Sequence, residues 1–295
     1  MVKVGIFGNI YHSNKSELIK RTFRQLQLYN SEIYVESHFY DFLAEEYRFY
    51  PEVKRLINEN ADYRLDIALS LGGDGTFLRT ATLLGRKHIP ILGINIGRLG
   101  FLAEINPEDI EATFDEVFAE HRYRIEERSL LHIDAANYDL FGRENFALNE
   151  IAVLKRDTSS MITIQAYIND EYLNTYLADG LLIATPTGST AYSMSVNGPI
   201  IIPQAGNFVL SPVAPHSLNV RPLVITEDSR ISLKVETRNQ NFLVALDGRS
   251  FVLPSGAQFD ISKADFTIPV VKRLNHTFYE TLRQKLLWGN DARKL

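Results

Sequence analysis

The apolar positions of this chain change their period near residue 122. Before that point, short apolar runs alternate with stretches of helical spacing. Residues 2–7 read as a strand ending in Gly8-Asn9. In residues 16–28, Leu18, Ile19, Phe23 and Leu26 recur roughly every three or four positions, which predicts an amphipathic helix. Residues 32–38 alternate as a strand does. Residues 67–71 form a buried-strand pattern, followed by a helical stretch over 76–84, and residues 90–96 form a fourth strand. Strands alternating with helices predict a parallel, doubly wound sheet, which offers ligands the carboxyl ends of its strands. Residues 107–120 read as a connecting helix, with Pro107 early and acids in the first turn.

Beyond residue 122 short strand-like runs dominate: 130–135, 151–154, 161–168, 181–185, 223–225, 231–235, 242–246 and 266–270. Turn signals separate them, among them Asn169-Asp170, Asp247-Gly248 and Pro254-Ser255-Gly256. Residues 278–288 return to helical spacing through Phe278, Leu282, Lys285 and Leu286. The expected organisation is a Rossmann-like α/β domain over residues 1–121 and an all-β, sandwich-like domain over 122–272. A closing C-terminal helix in 273–295 is expected to pack on the first domain. No internal repeat or low-complexity linker interrupts this plan.

Composition narrows the picture. A chain of 295 residues is long enough for two cores. With 45% hydrophobic and 23% charged residues it is ordinary for a soluble protein. A net charge of −5 without a basic block argues against a nucleic-acid or anionic-membrane surface. The absence of cysteine excludes disulfides, thiol nucleophiles and thiolate metal sites. The N-terminus lacks a signal-peptide apolar core, and no run approaches the ~20 residues of a membrane span. The expected compartment is the cytoplasm.

The most informative local feature is Gly72-Gly73-Asp74-Gly75-Thr76, set between the strand at 67–71 and the helix after it. Glycines there let backbone approach a ligand, and a helix start offers free N–H groups to phosphate. The acid in the middle suggests a base, a hydroxyl anchor or a metal contact; the plainer reading is a tight turn with a helix-capping aspartate. Asn95 to Phe101 follows the fourth strand at the same predicted edge.

Four further clusters lie in the second half. Leu148-Asn149-Glu150 stands at a strand entrance and reads alone as a polar strand end. Asp179-Gly180 precedes a buried run and reads alone as a turn. Thr185 to Ser195 contains six Ser or Thr residues in eleven, with Gly188 and Tyr192. Short hydroxyls beside exposed backbone suit a base or sugar, and a tyrosine offers a stacking face. Asp247-Gly248-Arg249 is equally a hairpin turn.

Taken together, these motifs resemble the NAD kinase family over nearly the whole chain. The glycine loop is shared with diacylglycerol-type lipid kinases and, in related form, with phosphofructokinases. The block Leu148-Asn149-Glu150, Asp179-Gly180 and Thr185 to Ser193 is more specific. The resemblance implies transfer of the γ-phosphoryl group of ATP to the 2′-hydroxyl of the adenosine ribose of NAD. It implies a site between the two domains, and a homodimer or homotetramer. It implies Mg²⁺ or another divalent cation carried on ATP, with no separate protein metal site. Asp74 is the implied proton acceptor and hydroxyl anchor. Gly72, Gly73 and Gly75 would turn N–H groups to phosphate, and Arg79 would reach a phosphate or remain an exposed helix arginine. The implied NAD-binding residues are Asp74, Gly75, Asn149, Glu150, Asp179, Thr190, Ala191, Tyr192, Ser193, Met194 and Ser195, with Ala214 contributing main chain. Asp179 would suit the carboxamide amine, and Asn149, Thr190 and Ser195 the adenine and ribose edges. Two departures stand out. Leu177 occupies a place where some relatives carry arginine, so no cation is expected there. Arg249, after Asp247-Gly248, would supply a phosphate-facing cation from another position. The rivals, a lipid kinase or a non-catalytic nucleotide-binding regulator, lack respectively a visible membrane-binding feature and a reason to keep Asp74.

Overall fold

The computed structural model describes residues 1–9, 15–58, 63–97, 100–135, 137–138, 140–156 and 160–289. Arg98 and Leu99, which belong to the segment following the fourth predicted strand, lie outside the described residues, as do residues 290–295 of the C-terminal segment. The chain forms two compact units, one from residues 1–127 and 268–295 and one from residues 128–267.

The first unit is built on β1 (Lys3–Gly8), β2 (Glu32–Glu36), β3 (Arg55–Ile57), β4 (Ile67–Gly72), β5 (Ile91–Asn95) and β6 (Tyr123–Arg128). Its helices are α1 (Ser16–Leu28), α2 (Ser37–Tyr47), α3 (Asp74–Leu84) and α4 (Ile110–Phe114). A later strand, Ile268–Arg273, completes a seven-stranded sheet in the order β3-β2-β1-β4-β5, then Ile268–Arg273, then β6. The pairs among β1 to β5 are parallel, and Ile268–Arg273 runs parallel to β5. Every residue of β4 and β5 is buried, as befits strands covered on both faces. The order places the topological switch between β1 and β4. The turn after β4 therefore starts at the crevice where such sheets take ligands, and the Asn9 N–H donates to Leu71 O there at 3.0 Å.

Several local expectations change in the structure. Helix α2 starts inside the run read as a strand, because Glu36 accepts hydrogen bonds from the His38 and Phe39 N–H groups and caps it. The predicted helix over 107–120 is instead a 3₁₀ turn at Pro107–Asp109, then α4, then a π turn at Asp115–Ala119. An ion pair between Arg21 on α1 and Glu111 on α4 fastens it.

The second unit is a sandwich of two six-stranded antiparallel sheets. Its strands are β7 (Leu131–Asp134), β8 (Phe146–Ala147), β9 (Glu150–Lys155), β10 (Ile162–Ile168), β11 (Glu171–Ala178) and β12 (Gly180–Ala184). They continue with β13 (Asn207–Val213), β14 (Leu223–Thr226), β15 (Ile231–Glu236), β16 (Asn241–Leu246), β17 (Arg249–Pro254) and β18 (Gln258–Lys263). One sheet runs β11-β10-β15-β18-β7-β8 and the other β14-β13-β12-β9-β16-β17. Alternating burial in β10, β15 and β16 puts Ile162, Ile164, Leu233, Val235, Phe242 and Val244 in one core. Strand β12 is buried throughout, because residues 187–195, including the short helix α5 (Tyr192–Ser195), pack on it.

The run over 266–270, read with the β-rich half, becomes β19 (Ile268–Arg273) of the first sheet. Its first five residues are all buried, the pattern of a strand inside a covered parallel sheet rather than a half-exposed sandwich strand. The closing helix is α6 (Phe278–Leu286), shorter than the predicted stretch because Leu287 adopts a left-handed conformation at φ 51°. Helix α6 belongs to the first unit.

Candidate functional site

In the first unit the glycine turn joins β4 to α3. Gly73 caps α3, and Asp74 is the first helical residue. Its carboxylate leaves its own helix and reaches the segment after β5. Oδ2 accepts from the Phe101 N–H at 2.8 Å, and Oδ1 accepts from the N–H groups of Leu102 and Ala103 at 2.9 and 3.2 Å. Asp74 is thus not the helix-capping residue of the plainer reading. Three N–H donors fix the orientation of its carboxylate, which stays 34% exposed as a side chain. A carboxylate has about four acceptor positions, so one on Oδ2 remains for a ligand.

The glycines divide into two kinds. A Cβ at Gly72 would lie 2.0 Å from Thr76 Oγ1, so Gly72 is required by the turn itself. At Gly73 and Gly75 a Cβ would meet nothing within 4 Å. Their bareness serves open space beside the N-terminus of α3, which suits a phosphate approaching backbone. A Cβ at Gly100 would stand 1.8 Å from Asp74 Oδ1. Gly100 was not among the predicted site residues, although it belongs to the segment placed at this edge.

Arg79, one turn into α3, donates to Glu36 Oε1 at 3.0 Å. Glu36 is buried and already caps α2, so this arginine fastens two helices; its side chain is 40% exposed and keeps donors for a phosphate.

In the second unit three segments converge. The half-buried Asp247 carboxylate accepts the N–H groups of Leu148, Asn149 and Glu150 at 2.7, 2.9 and 3.1 Å. Thr185 Oγ1 donates to Leu148 O at 2.6 Å, and Gly188 packs so tightly that a Cβ would stand 2.0 Å from Asn149 O. This fixes Asn149 and Glu150 against the hydroxyl-rich turn. Asn149 Oδ1 and Glu150 Oε2 are nevertheless buried without a hydrogen-bond partner. Such atoms are costly unless a ligand answers them. Burial, and secondarily the Asp247 charge, push the Glu150 carboxyl up to about 8; a backbone hydrogen bond from Tyr192 opposes this. Glu150 is therefore a carboxylic acid at neutral pH, able to donate as well as accept. Burial also pushes the Asp247 carboxyl up, and the three N–H groups and Arg249 hold it down.

The hydroxyls of the Thr185 to Ser195 stretch do not all face a ligand, as their composition suggested. Thr185, Ser189 and Ser193 are buried and spent on the fold: Ser189 Oγ donates to Pro186 O at 2.7 Å, and Ser193 Oγ lies 3.1 Å from Ser211 Oγ. Thr190, Ala191, Tyr192, Met194 and Ser195 retain exposed surface, with Tyr192 37% exposed.

Asp179 lies at the other end of the β9–β12 pair. Glu150 pairs with Ala184, whereas Asp179 precedes Gly180, which pairs with Leu154 and with Val213. At about 3.3 Å per residue the two ends are roughly 13 Å or more apart. Asp179 and Ala214 share that far end, and Ala214 holds a left-handed φ of 42° just after β13. The sequence reading found no cation where Leu177 stands; Lys155 supplies one from the adjacent strand, its Nζ 2.6 Å from Asp179 Oδ1. Arg249, expected to supply a phosphate-facing cation, engages its terminal nitrogens within its own unit. Its guanidinium donates to Glu144 O and Phe146 O at 2.7 and 2.6 Å and lies 5.7 and 5.8 Å from the ring centres of Phe141 and Phe146.

Among the described residues no group of three or more His, Asp or Glu side chains could hold a metal ion. No described helix is long and apolar enough to cross a membrane.

Two family models match this chain: the ATP-NAD kinase N-terminal domain over residues 4–123 and the ATP-NAD kinase C-terminal domain over residues 148–273. It is 50% identical to the NAD kinase of Bacteroides fragilis across 99% of this chain and 100% of that protein. It is 45% identical to the NAD kinase of Flavobacterium psychrophilum with the same coverage. Its fold is similar to that of yeast NADH kinase complexed with NADH, with a TM-score of 0.87 at 23% identity over 99% of this chain and 89% of that one. An NAD kinase from Archaeoglobus fulgidus in complex with ATP superposes with a TM-score of 0.74 at 26% identity, covering 97% and 98% of the two chains.

Proposed function

Because the chain belongs to the NAD kinase family, we propose that it is a phosphotransferase that moves the γ-phosphoryl group of ATP to the 2′-hydroxyl of the adenosine ribose of NAD. The new bond joins the ribose oxygen to the γ-phosphorus. The bond from that phosphorus to the β–γ bridging oxygen breaks, and ADP and NADP leave. The observation that carries the reading is the fixed Asp74 carboxylate, with one acceptor position left open beside the bare backbone of Gly73 and Gly75.

A ribose hydroxyl is a weak nucleophile, and phosphoryl transfer depends mainly on positioning and charge neutralisation. Asp74 orients the hydroxyl and takes its proton. The backbone at Gly72, Gly73 and Gly75, with Arg79, receives phosphate. In the second unit Asn149 and Glu150 serve NAD through their unanswered polar atoms. Tyr192 supplies a face, Thr190, Ala191, Met194 and Ser195 supply edges, and Ser193 holds that turn in shape. Asp179 and Ala214 serve the far end of the dinucleotide. Mg²⁺ or a similar cation enters on ATP, held by phosphate oxygens and water, and neutralises their charge. Exposed Phe251 and Val252 on β17, and Leu223 and Val224 on β14, support a homodimer or homotetramer. A cytoplasmic location suits these substrates.

The test is incubation with ATP, Mg²⁺ and NAD, with NADP read by a NADP-specific dehydrogenase. Asp74→Asn is expected to bind NAD while losing roughly 10²–10⁴-fold in turnover, the worth of positioned proton transfer. No NADP from the wild-type chain would refute the activity; turnover of Asp74→Asn within about threefold of wild type would remove Asp74 from its role.

A further inference from the structure

Helix α6 carries a cation to the glycine turn. Lys285 Nζ lies 3.6 Å from Asp74 Oδ2, beyond an ordinary hydrogen bond yet within ion-pair range. It also lies 4.3 Å from the ring centre of Phe101, the residue whose N–H binds the same oxygen. The Lys285 side chain is only 12% exposed.

We propose that Lys285 is a positioning residue for the phosphoryl transfer: its ammonium steadies by charge the Asp74 carboxylate that three backbone N–H groups orient, and leaves the open acceptor position of Oδ2 to the ribose hydroxyl. This rests on Asp74 being the hydroxyl anchor. The geometry distinguishes the role from a plain ion pair. The N–H groups of Phe101, Leu102 and Ala103 already orient both oxygens, so what Lys285 adds is charge at Oδ2, the oxygen with the open acceptor position. A lysine bonded there at an ordinary distance of about 2.8 Å would take the remaining lone pair from the substrate. At 3.6 Å it adds charge without occupying that position.

The fold invests in this placement. Burial pulls the Lys285 ammonium below the usual lysine range, and the charge and side-chain contact of Asp74, with the Glu104 charge, oppose it. Thr277 and Glu280 form a capping box at the start of α6. Thr281 Oγ1 lies 3.4 Å from Glu104 Oε1, and the Phe278 ring packs 6.3 Å from that of Phe101. Glu104 is in turn bound to Lys272 Nζ at 2.6 Å; although burial works against its charge, Lys272 and His276 hold its carboxyl down at about 2. Helix α6 and the segment at 100–104 are thus locked together, and Lys285 inherits a set position over Asp74.

The experiment compares Lys285→Met, Lys285→Arg and Lys285→Gln in the full chain, alone and combined with Asp74→Asn. Lys285→Met keeps the aliphatic stem and is expected to lower kcat roughly 10- to 100-fold, as misplacement of a reacting group does. The KM values for NAD and ATP should change by less than about threefold, and the melting temperature by only a few degrees. Lys285→Arg should recover most of the rate. In the Asp74→Asn background the same Met substitution should change the residual rate by less than about threefold, because a residue acting only through Asp74 has nothing left to position. If Lys285→Met melts early, Lys285→Gln at matched folded fraction provides the comparison. A kcat near wild type, an equal loss in the Asp74→Asn background, or a rise in the ATP KM with unchanged kcat would each overturn the inference. Activity of Asp74→Asn itself near wild type would instead overturn the role of Asp74.

Discussion

Gly100→Ala adds one methyl group in contact with the residue proposed for proton transfer. Its carbon would stand 1.8 Å from Asp74 Oδ1, 2.7 Å from Cγ and 3.2 Å from Oδ2. Relief to a tolerable contact of about 3 Å needs a shift of more than about 1 Å, and displacement of a reacting group by that much costs about 100-fold in rate. The carboxylate cannot yield freely, since Phe101, Leu102 and Ala103 hold both of its oxygens. Hydrogen bonds to a charged group are worth about 1.5–3 kcal/mol each, so losing even one destabilises the loop measurably. The expected outcome is a kcat about 100-fold lower, with a modest fall in melting temperature. The assay is NADP formation at saturating ATP and NAD, beside thermal unfolding followed by circular dichroism. Gly206→Ala is the control, because its added carbon would come no closer than 3.5 Å to Glu227 Oε1. Should Gly100→Ala turn over within about threefold of wild type, the seating of Asp74 by this loop has no bearing on catalysis.

Asn149→Ala is expected to raise the KM for NAD by roughly 5- to 100-fold, the worth of a buried hydrogen bond left unanswered, and Asp179→Ala, whose side chain is 34% exposed, by less, both with little change for ATP; equal effects on both substrates would contradict the assignment. Glu150→Gln tests the protonation state. The folded chain keeps the Glu150 proton to about pH 8, whereas the unfolded chain releases it near 4.5. The stability contributed by this group is therefore full below 4.5 and is lost as pH rises towards 8. Glu150→Gln does not titrate, so its melting temperature relative to wild type should rise between about pH 5 and about pH 8; a constant difference would show that Glu150 is ionised in the fold.

The parts of the site that depend on neighbours in sequence were open to reading from the chain. The strand, the glycines and the start of α3 are contiguous, so their spacing carries the turn. What stayed hidden comes from distant partners. Nothing near Asp74 announces that residues 101–103 will take its carboxylate, or that Lys285 will arrive on a helix from the end of the chain. Arg249 looked like a free cation because Glu144 and Phe146 are remote in sequence. Thr185, Ser189 and Ser193 share composition with Thr190 and Ser195, and only burial against their partners Leu148, Pro186 and Ser211 sets the fastening hydroxyls apart. The missing cation at Leu177 was met from Lys155, because cross-strand neighbours, not sequence neighbours, surround Asp179. The role of β19 was not legible, because its apolar run stops at Lys272, whose buried ammonium is answered by Glu104, a partner remote in sequence.

The return of β19 to the first sheet sets a schedule for synthesis. A ribosome delivers β1 to β5 and their helices first, then the whole second unit, and only afterwards β19 and α6. During that interval β5 lacks the partner that will cover its outer edge, and unpaired edges of apolar strands are the surfaces through which nascent chains aggregate. The interval also separates making Asp74 from completing its surroundings. With Lys285 as the residue proposed to steady Asp74, a chain halted before α6 would hold the glycine loop without that charge.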